Sequence, residues 1–282
     1  MNGPELVVDV SNETGEGPLW HAGSVWWVDI PPGVLHRYDP HADSLSTTPI
    51  GRFASALAPR PDGSLVCAVK DGFVVIGEDG SVSEWVSHHP EDFPARTNDA
   101  AVDAHGRFWF GRVPLDFAGE RGALYTLDLD GTIALHLDGV RLPNGIDWSP
   151  DGRTMYFVDS LRFTVHAFEV SDDGALGGRR DLVSLPHSWD PLTVPDGLTV
   201  DGEGHLWVAL WGGSSVVRFT PDGERVDAIS LPVSKVTSCA FGGADLTDLY
   251  ITTAATEGEP GSGGLWRARP GVRGRPTNVF GR

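Results

Sequence analysis

The chain has 282 residues and a formal net charge of −18, from 21 Lys plus Arg against 39 Asp plus Glu. That length suits one large domain or two modest ones, with room for a real core. The acidic balance excludes the basic footprint of a nucleic-acid binder and opposes an anionic membrane surface, and 40% hydrophobic residues exclude a disordered chain.

Thirty-six glycines and 21 prolines require frequent turns, and two cysteines cannot build a disulfide framework. The opening MNGPELVVDVSNETGEG has no basic region and no apolar run of signal length. No stretch approaches the ~20 apolar residues of a membrane span. We expect a soluble, cytoplasmic protein with neither a nucleic-acid nor a membrane partner.

Along the chain, short alternating or apolar runs replace helical periodicity. ELVVDV, from Glu5, reads as a strand. From Thr14, TGEGPLWHAGSVWWVDI runs polar residue, strand, tight turn, aromatic-rich strand. The pattern returns in FASALAPRPDGSLVCAV from Phe53, RTNDAAVDAHGRFWFG from Arg96 and LPNGIDWSPDGRTMYFVDS from Leu142. It returns twice more, in VPDGLTVDGEGHLWVAL from Val194 and VTSCAFGGADLTDLYIT from Val236. A third strand follows each copy, as in VLHRYDP or SVVRFTPDG, and a fourth follows most, as in SVSEWV or DAISLP.

The matched polar positions are Glu16, Ser55, Asn98, Asn144, Asp196 and Ser238, separated by 39, 43, 46, 52 and 42 residues. That period is one four-stranded propeller blade. The expected fold is all-β: a six-bladed β-propeller with four antiparallel strands per blade, one domain over residues 1–282. ELVVDV precedes the first copy as a fourth strand precedes the others, so it should complete the last blade and close the ring. A two-sheet sandwich is the alternative, and six phased repeats count against it. Trp26, Trp27, Trp109 and Trp207 fall in second strands, where packing between sheets explains them better than a base-stacking platform.

In a propeller the first strand of each blade lines the central channel, and the residue just before it stands at the channel mouth. The six matched residues therefore converge on one axis, and each carries a side-chain oxygen. An oxygen-only donor set suits a divalent cation, Ca²⁺ first, with Mg²⁺, Mn²⁺ or Zn²⁺ as alternatives. No histidine or cysteine occupies a ring position, which argues against a structural zinc site. The plain alternative is a hydrogen-bonded, water-filled channel, in which two carboxylates would raise each other's pKa. His187 and Trp189 precede Asp196 in PHSWDPLTVPDG and are candidates to roof the mouth, with loop packing as the competing reading. GxSxG is absent, and the glycine-rich stretches lack the context of a phosphate loop. Cys67 and Cys239 fall in copies that are not neighbours, so no disulfide is expected.

GEGPLW, WWVDIP, RTNDAAVD, PNGIDWSPDG, YFVDS, PDGLTVDGEGHLWVA and KVTSCAFGG together resemble the regucalcin-like family, also called senescence marker protein, gluconolactonase and luciferin-regenerating enzyme. The resemblance runs from about Glu13 to Trp266. It implies a six-bladed propeller that is a metal-dependent lactonase. It implies that Glu16, Asn144 and Asp196 hold one divalent metal, that Arg96 and Asn98 contact the substrate, and that Asp196 is the general base. The chain departs from the family pattern at Ala100, where Gly is frequent, and at Arg112-Val113. Arg112, expected on the mouth side where it would alter the pocket charge, and Asp116, a loose counterpart of an acidic residue in some relatives, are candidate substrate contacts.

Lactone hydrolysis builds negative charge on the carbonyl oxygen, which a cation can stabilise while acidifying a water. The leading expectation is a sugar-lactone hydrolase. A metal-dependent esterase or phosphoesterase would need a more apolar pocket, which Phe93, Phe117 and Trp189 could line. A non-enzymatic calcium-binding protein and a dehydratase or isomerase on the same ring complete the alternatives.

Overall fold

The computed structural model describes residues 3–171, 174–189 and 192–282. Six antiparallel sheets follow one another in chain order. Their inner strands are Gly15–His21, Ala54–Pro59, Ala95–Val102, Pro143–Trp148, Leu192–Val200 and Val236–Gly242. Each inner strand touches the next and the sixth touches the first, so they close around a channel. Blade 5 departs from the four-strand pattern: Ser188–Trp189 folds back on Leu192–Thr193 as a short fifth strand.

ELVVDV closes the ring as expected. Its strand, Glu5–Val8, pairs with Leu265–Ala268 of blade 6, Glu5 opposite Arg267 and Leu6 opposite Trp266. Asn12 secures the join, its side-chain amide donating to Gly263 O at 2.8 Å and its backbone carbonyl accepting from Ala255 N. The closure gives the last blade its outer strand from the other end of the chain and so ties it to the first blade.

The core lies between neighbouring blades, and the second-strand tryptophans sit in it. Trp27, Trp109 and Trp207 are fully buried. A buried indole N–H needs an acceptor, and the sequence supplies one twice. In VDAHGRFW and VDGEGHLW the turn aspartate meets the tryptophan six residues further on: Asp103 accepts from Trp109 Nε1 at 2.8 Å and Asp201 from Trp207 Nε1 at 3.0 Å. The tight turn of blade 1 carries no such aspartate, and Trp27 Nε1 has no partner among the described residues.

The lower end of the channel is crossed by the C-terminal segment, which sequence patterning did not single out. Arg273 O accepts from Gly202 N, and Gly274 N donates to Leu246 O. Arg275 reaches Val200 O and Asp147 Oδ1. Thr277 bonds Trp20 O, Asn278 bonds Val102 O, and Phe280 N bonds Pro59 O. The strap thus touches all six blades. Phe280 is buried against Trp85 and Phe108. Above it lies a cavity of about 140 Å³ lined by Asp99, Thr199, Ser238 and Cys239 among others. No helix among the described residues is long and apolar enough to cross a membrane.

Candidate active site

Every inner strand breaks register at its ring residue. The irregularities fall between Glu16 and Leu19, Ala54 and Ala56, Thr97 and Ala100, Pro143 and Ile146, Pro195 and Leu198, and Val236 and Ser238. The ring residues therefore do not precede the inner strands, as the sequence reading supposed; they stand within them, at or beside a bulge. A bulge re-aims side chains that strict alternation would send into the gap between blades. The glycines of PNG and PDG serve close approach. A Cβ on Gly145 would lie 2.5 Å from Leu198 N, and one on Gly197 would lie 2.1 Å from Ser238 Oγ. Gly197 is thus required by the neighbouring blade, not by a turn into the strand.

All six ring residues are buried. Asn144 Nδ2 donates to Asp196 Oδ1 across blades 4 and 5, and to Ser160 Oγ at 3.0 Å. Both amide hydrogens are then spent, and Asn144 Oδ1 is left buried with no partner. Glu16 Oε2 accepts from Gly17 N at 2.9 Å. Asn98 Nδ2 donates to Pro143 O at 2.8 Å, which ties blade 3 to blade 4. Ser55 turns its hydroxyl onto Ala68 O at 3.4 Å within its own blade.

Arg96 is buried beside these groups. Its guanidinium donates to Thr97 O at 3.0 Å and lies over the Phe117 ring at 5.7 Å. Burial lowers its pKa to about 10, against the pull of the Glu16 and Asp196 carboxylates, so it stays charged at neutral pH.

Two further residues complete the site. Asp99, in RTND, is buried at the same bulge as Asn98 and accepts from Ala100 N at 2.7 Å. Ser160, closing YFVDS, holds Asn144. The motifs contained both, but only the bulge turns Asp99 toward the channel cavity and only the fold sets Ser160 beside Asn144.

The electrostatics are those of an excess of negative charge. Burial, then the Asp196 and Asp99 carboxylates, push Glu16 well above the usual carboxylate range. Burial, then Asp99, does the same to Asp196, with the Asn144 bond and Arg96 opposing. Burial pushes Asp99 up to about 6. Glu16 and Asp196 thus lie near one guanidinium with Asp99 as a third buried carboxylate beside them, and a divalent cation would balance the excess. The orphaned Asn144 Oδ1 lacks only a positive partner. On both counts Glu16, Asn144 and Asp196 fit such an ion, with oxygen donors of the kind Ca²⁺ takes.

Asp201, Glu203 and His205 also converge, at the lower turn of blade 5. The Asp201 carboxylate there already accepts from Trp207, Arg218 and the backbone N–H groups of Glu203 and His205. That cluster is part of the tryptophan latch.

The structure places Arg112 and Asp116 otherwise than the sequence reading expected. Arg112 stands opposite Thr97, and Arg96 opposite Val113. Cross-strand partners share a face and neighbours alternate, so Arg112 turns away from Arg96. Its side chain is 2% exposed, and its guanidinium grips Glu91 at 2.5 and 2.8 Å and reaches Lys70 O at 3.1 Å. It presents no free charge to the mouth. Asp116 is exposed and pairs with Arg121 at 2.6 Å. Phe93 and Phe117, named for an apolar pocket, carry the guanidinium groups of Arg121 and Arg96 over their rings, and Phe117 remains exposed. His187 stacks on Phe163 at 4.4 Å between ring centres, which bears out loop packing. The Trp189 side chain lies outside the described residues. Cys67 and Cys239 are both free and buried.

Buried carboxyl, carboxamide and guanidinium groups gathered on the inner strands of a six-bladed propeller define a polar central site. The chain belongs to the SMP-30/gluconolactonase/LRE-like family, whose model matches residues 14–255. It is 38% identical over 260 residues to the pentonolactonase XacC of Haloferax volcanii, covering 91% of this chain and 87% of that one. It is 34% identical to regucalcin of Xenopus laevis, over 98% of this chain and 97% of that one. Among solved structures, a calcium-binding regucalcin from Agrobacterium tumefaciens superposes with a TM-score of 0.90 at 25% identity, covering 99% and 97% of the two chains. A luciferin-regenerating enzyme does so at 0.89 and 25%, covering 99% and 100%.

Proposed function

We propose that the protein hydrolyses a sugar (aldono-) lactone to the hydroxy acid, at the upper mouth of the channel, with one divalent cation held by Glu16, Asn144 and Asp196. The observation that carries this reading is the buried, unpartnered Asn144 Oδ1, on a side chain bonded to Asp196, together with the Glu16 and Asp196 carboxyls that burial has driven toward protonation. The lactonase names of relatives support the substrate class. Ca²⁺ fits the oxygen donors first, with Mg²⁺, Mn²⁺ or Zn²⁺ as alternatives.

Bound there, the cation supplies positive charge against the oxyanion that develops on the lactone carbonyl. The remaining work falls to the chain. Asp196 spends Oδ1 on Asn144, so its other oxygen is the one free to take the proton of the attacking water. The Asn144 bond and the nearby Arg96 keep that carboxylate more acidic than burial alone would leave it. Arg96 donates to the ring or hydroxyl oxygens of the sugar. Asn98, its amide fixed on Pro143 O, offers its carbonyl oxygen to a sugar hydroxyl. The strap below the channel leaves the upper mouth as the route for substrate. Arg121 and Arg96 lie over Phe93 and Phe117 and give the rim a polar character. That favours a polyhydroxylated substrate over an apolar ester. A cytoplasmic setting belongs to the same reading, supported by two free thiols.

The test is a panel of aldonolactones assayed with chelator-stripped protein and Ca²⁺, Mg²⁺, Mn²⁺ or Zn²⁺ added back. Turnover should vanish on stripping and return with one or more ions. Tight ion binding with no turnover of any lactone would transfer the site to a calcium-binding role.

A further inference from the structure

Arg112 is a buried arginine at the level of the mouth that the chemistry above does not use. It grips Glu91 through Nε and a terminal nitrogen, at 2.5 and 2.8 Å, and spends its other terminal nitrogen on Lys70 O. Glu91 belongs to the segment between the outer strand of blade 2, Val82–Ser87, and the inner strand of blade 3, Ala95–Val102. The next residue but one after that segment's Pro94 is Arg96. The same segment is tied to a second lip, the turn after Phe108–Pro114. Leu115 N donates to Pro94 O at 2.9 Å, and the Arg121 guanidinium lies over Phe93 at 4.5 Å. That turn carries Phe117, held at φ 51° by a bond from its N–H to Pro114 O, and Phe117 lies against Arg96.

We propose that Arg112 is a positioning residue: through Glu91 it clamps the segment 88–94 and the turn 115–121 together and so fixes Arg96 for the substrate without touching the substrate itself. A bidentate guanidinium–carboxylate pair fixes orientation as well as distance, and a group that orients substrate loses effect when displaced by about 1 Å. The inference rests on the lactonase reading for its kinetic consequence and on the fold alone for its structural one.

The experiment compares Arg112→Ala, Arg112→Lys, Glu91→Gln and the double variant Arg112→Ala/Glu91→Gln. The readouts are KM and kcat on the best lactone found, metal Kd, and amide hydrogen exchange over residues 88–96. Arg112→Ala should raise KM about tenfold or more, with kcat and metal Kd within about threefold of native. Glu91→Gln should move KM the same way, and the double variant should be no worse than the poorer single one. Arg112→Lys should recover part of the loss. Exchange over 88–96 should quicken in each variant. Glu91→Gln keeps the shape of the site if Arg112→Ala fails to fold. Unchanged KM in both singles would overturn the proposal. Additive losses would make Arg112 a substrate contact in its own right. Parallel losses of kcat, metal affinity and thermal stability would reduce it to general support. If native protein turns over no lactone, the functional reading falls and the clamp is decided by exchange: no quickening over 88–96 refutes it.

Discussion

Asn144 donates one amide hydrogen to Asp196 and the other to Ser160 Oγ, so its carbonyl oxygen is left buried with no donor. Ser160 thereby fixes which end of the carboxamide meets an ion. Removing its hydroxyl in Ser160→Ala should weaken divalent-cation binding about tenfold, the scale of losing a group that orients a ligand. Calorimetric titration of the stripped variant measures it. Native affinity there would show that Asp196 alone orients Asn144.

Asp196→Asn preserves an oxygen donor and removes a proton acceptor. Turnover at ion concentrations above the variant's own Kd should fall ~10²-fold or more. Near-native turnover would leave Asp196 a ligand at most.

The pH behaviour of the ion-free protein follows from Asp99. Its pKa is raised by burial from 3.8 to about 6. A carboxyl that holds its proton more tightly when folded favours the fold fully below the unfolded value, and that contribution is lost as pH rises through the folded one. In the presence of a chelator, Asp99→Asn should therefore be more stable than native at pH 7.5, by on the order of 3 kcal/mol. The gap should shrink as pH falls through about 6 and close near 4. Urea melts at several pH values test this. A gap independent of pH would place the Asp99 charge in solvent.

The C-terminal strap makes a separate prediction. Phe280→Ala removes a fully buried ring from the blade 2–blade 3 side. It should cost about 3 kcal/mol and lower Tm by roughly 6–12 °C. Cys239 lies in the core between blades 5 and 6 with its Sγ on Trp207 O, and its residue also borders the cavity above the strap, whereas Cys67 lies in the core between blades 1 and 2 away from that cavity. A small alkylating reagent should reach Cys239 before Cys67 once the strap loosens. Equal protection of both thiols in the variant would mean that the strap does not close the channel.

Blade number, ring closure and the ring residues were legible in the sequence because each rests on local, repeated chemistry. Alternation sets strand faces, Asp-Gly sets turns, and a period near 44 residues sets the blade. Glu16, Asn144 and Asp196 stood out because one polar residue recurs at one phase of that repeat. The sequence could not show the bulges at those residues, and a single-residue shift turns a side chain to the other face of a sheet. That shift brings Asp99 into the channel. Strict alternation through the adjoining pairs turns Arg112 to Glu91 and away from Arg96.

The sequence by itself determined what repeats. The tertiary structure decided what meets only once. Asn144 finds Ser160 and Asp196, Arg112 finds Glu91, and the strap from Arg273 to Phe280 finds a residue in every blade. Such partners leave no periodic trace, because each contact is fixed by the closure of a ring whose first and last blades lie more than 200 residues apart in the chain. A bulge's register is set by that closed packing, and the direction of every charge in the site follows from it.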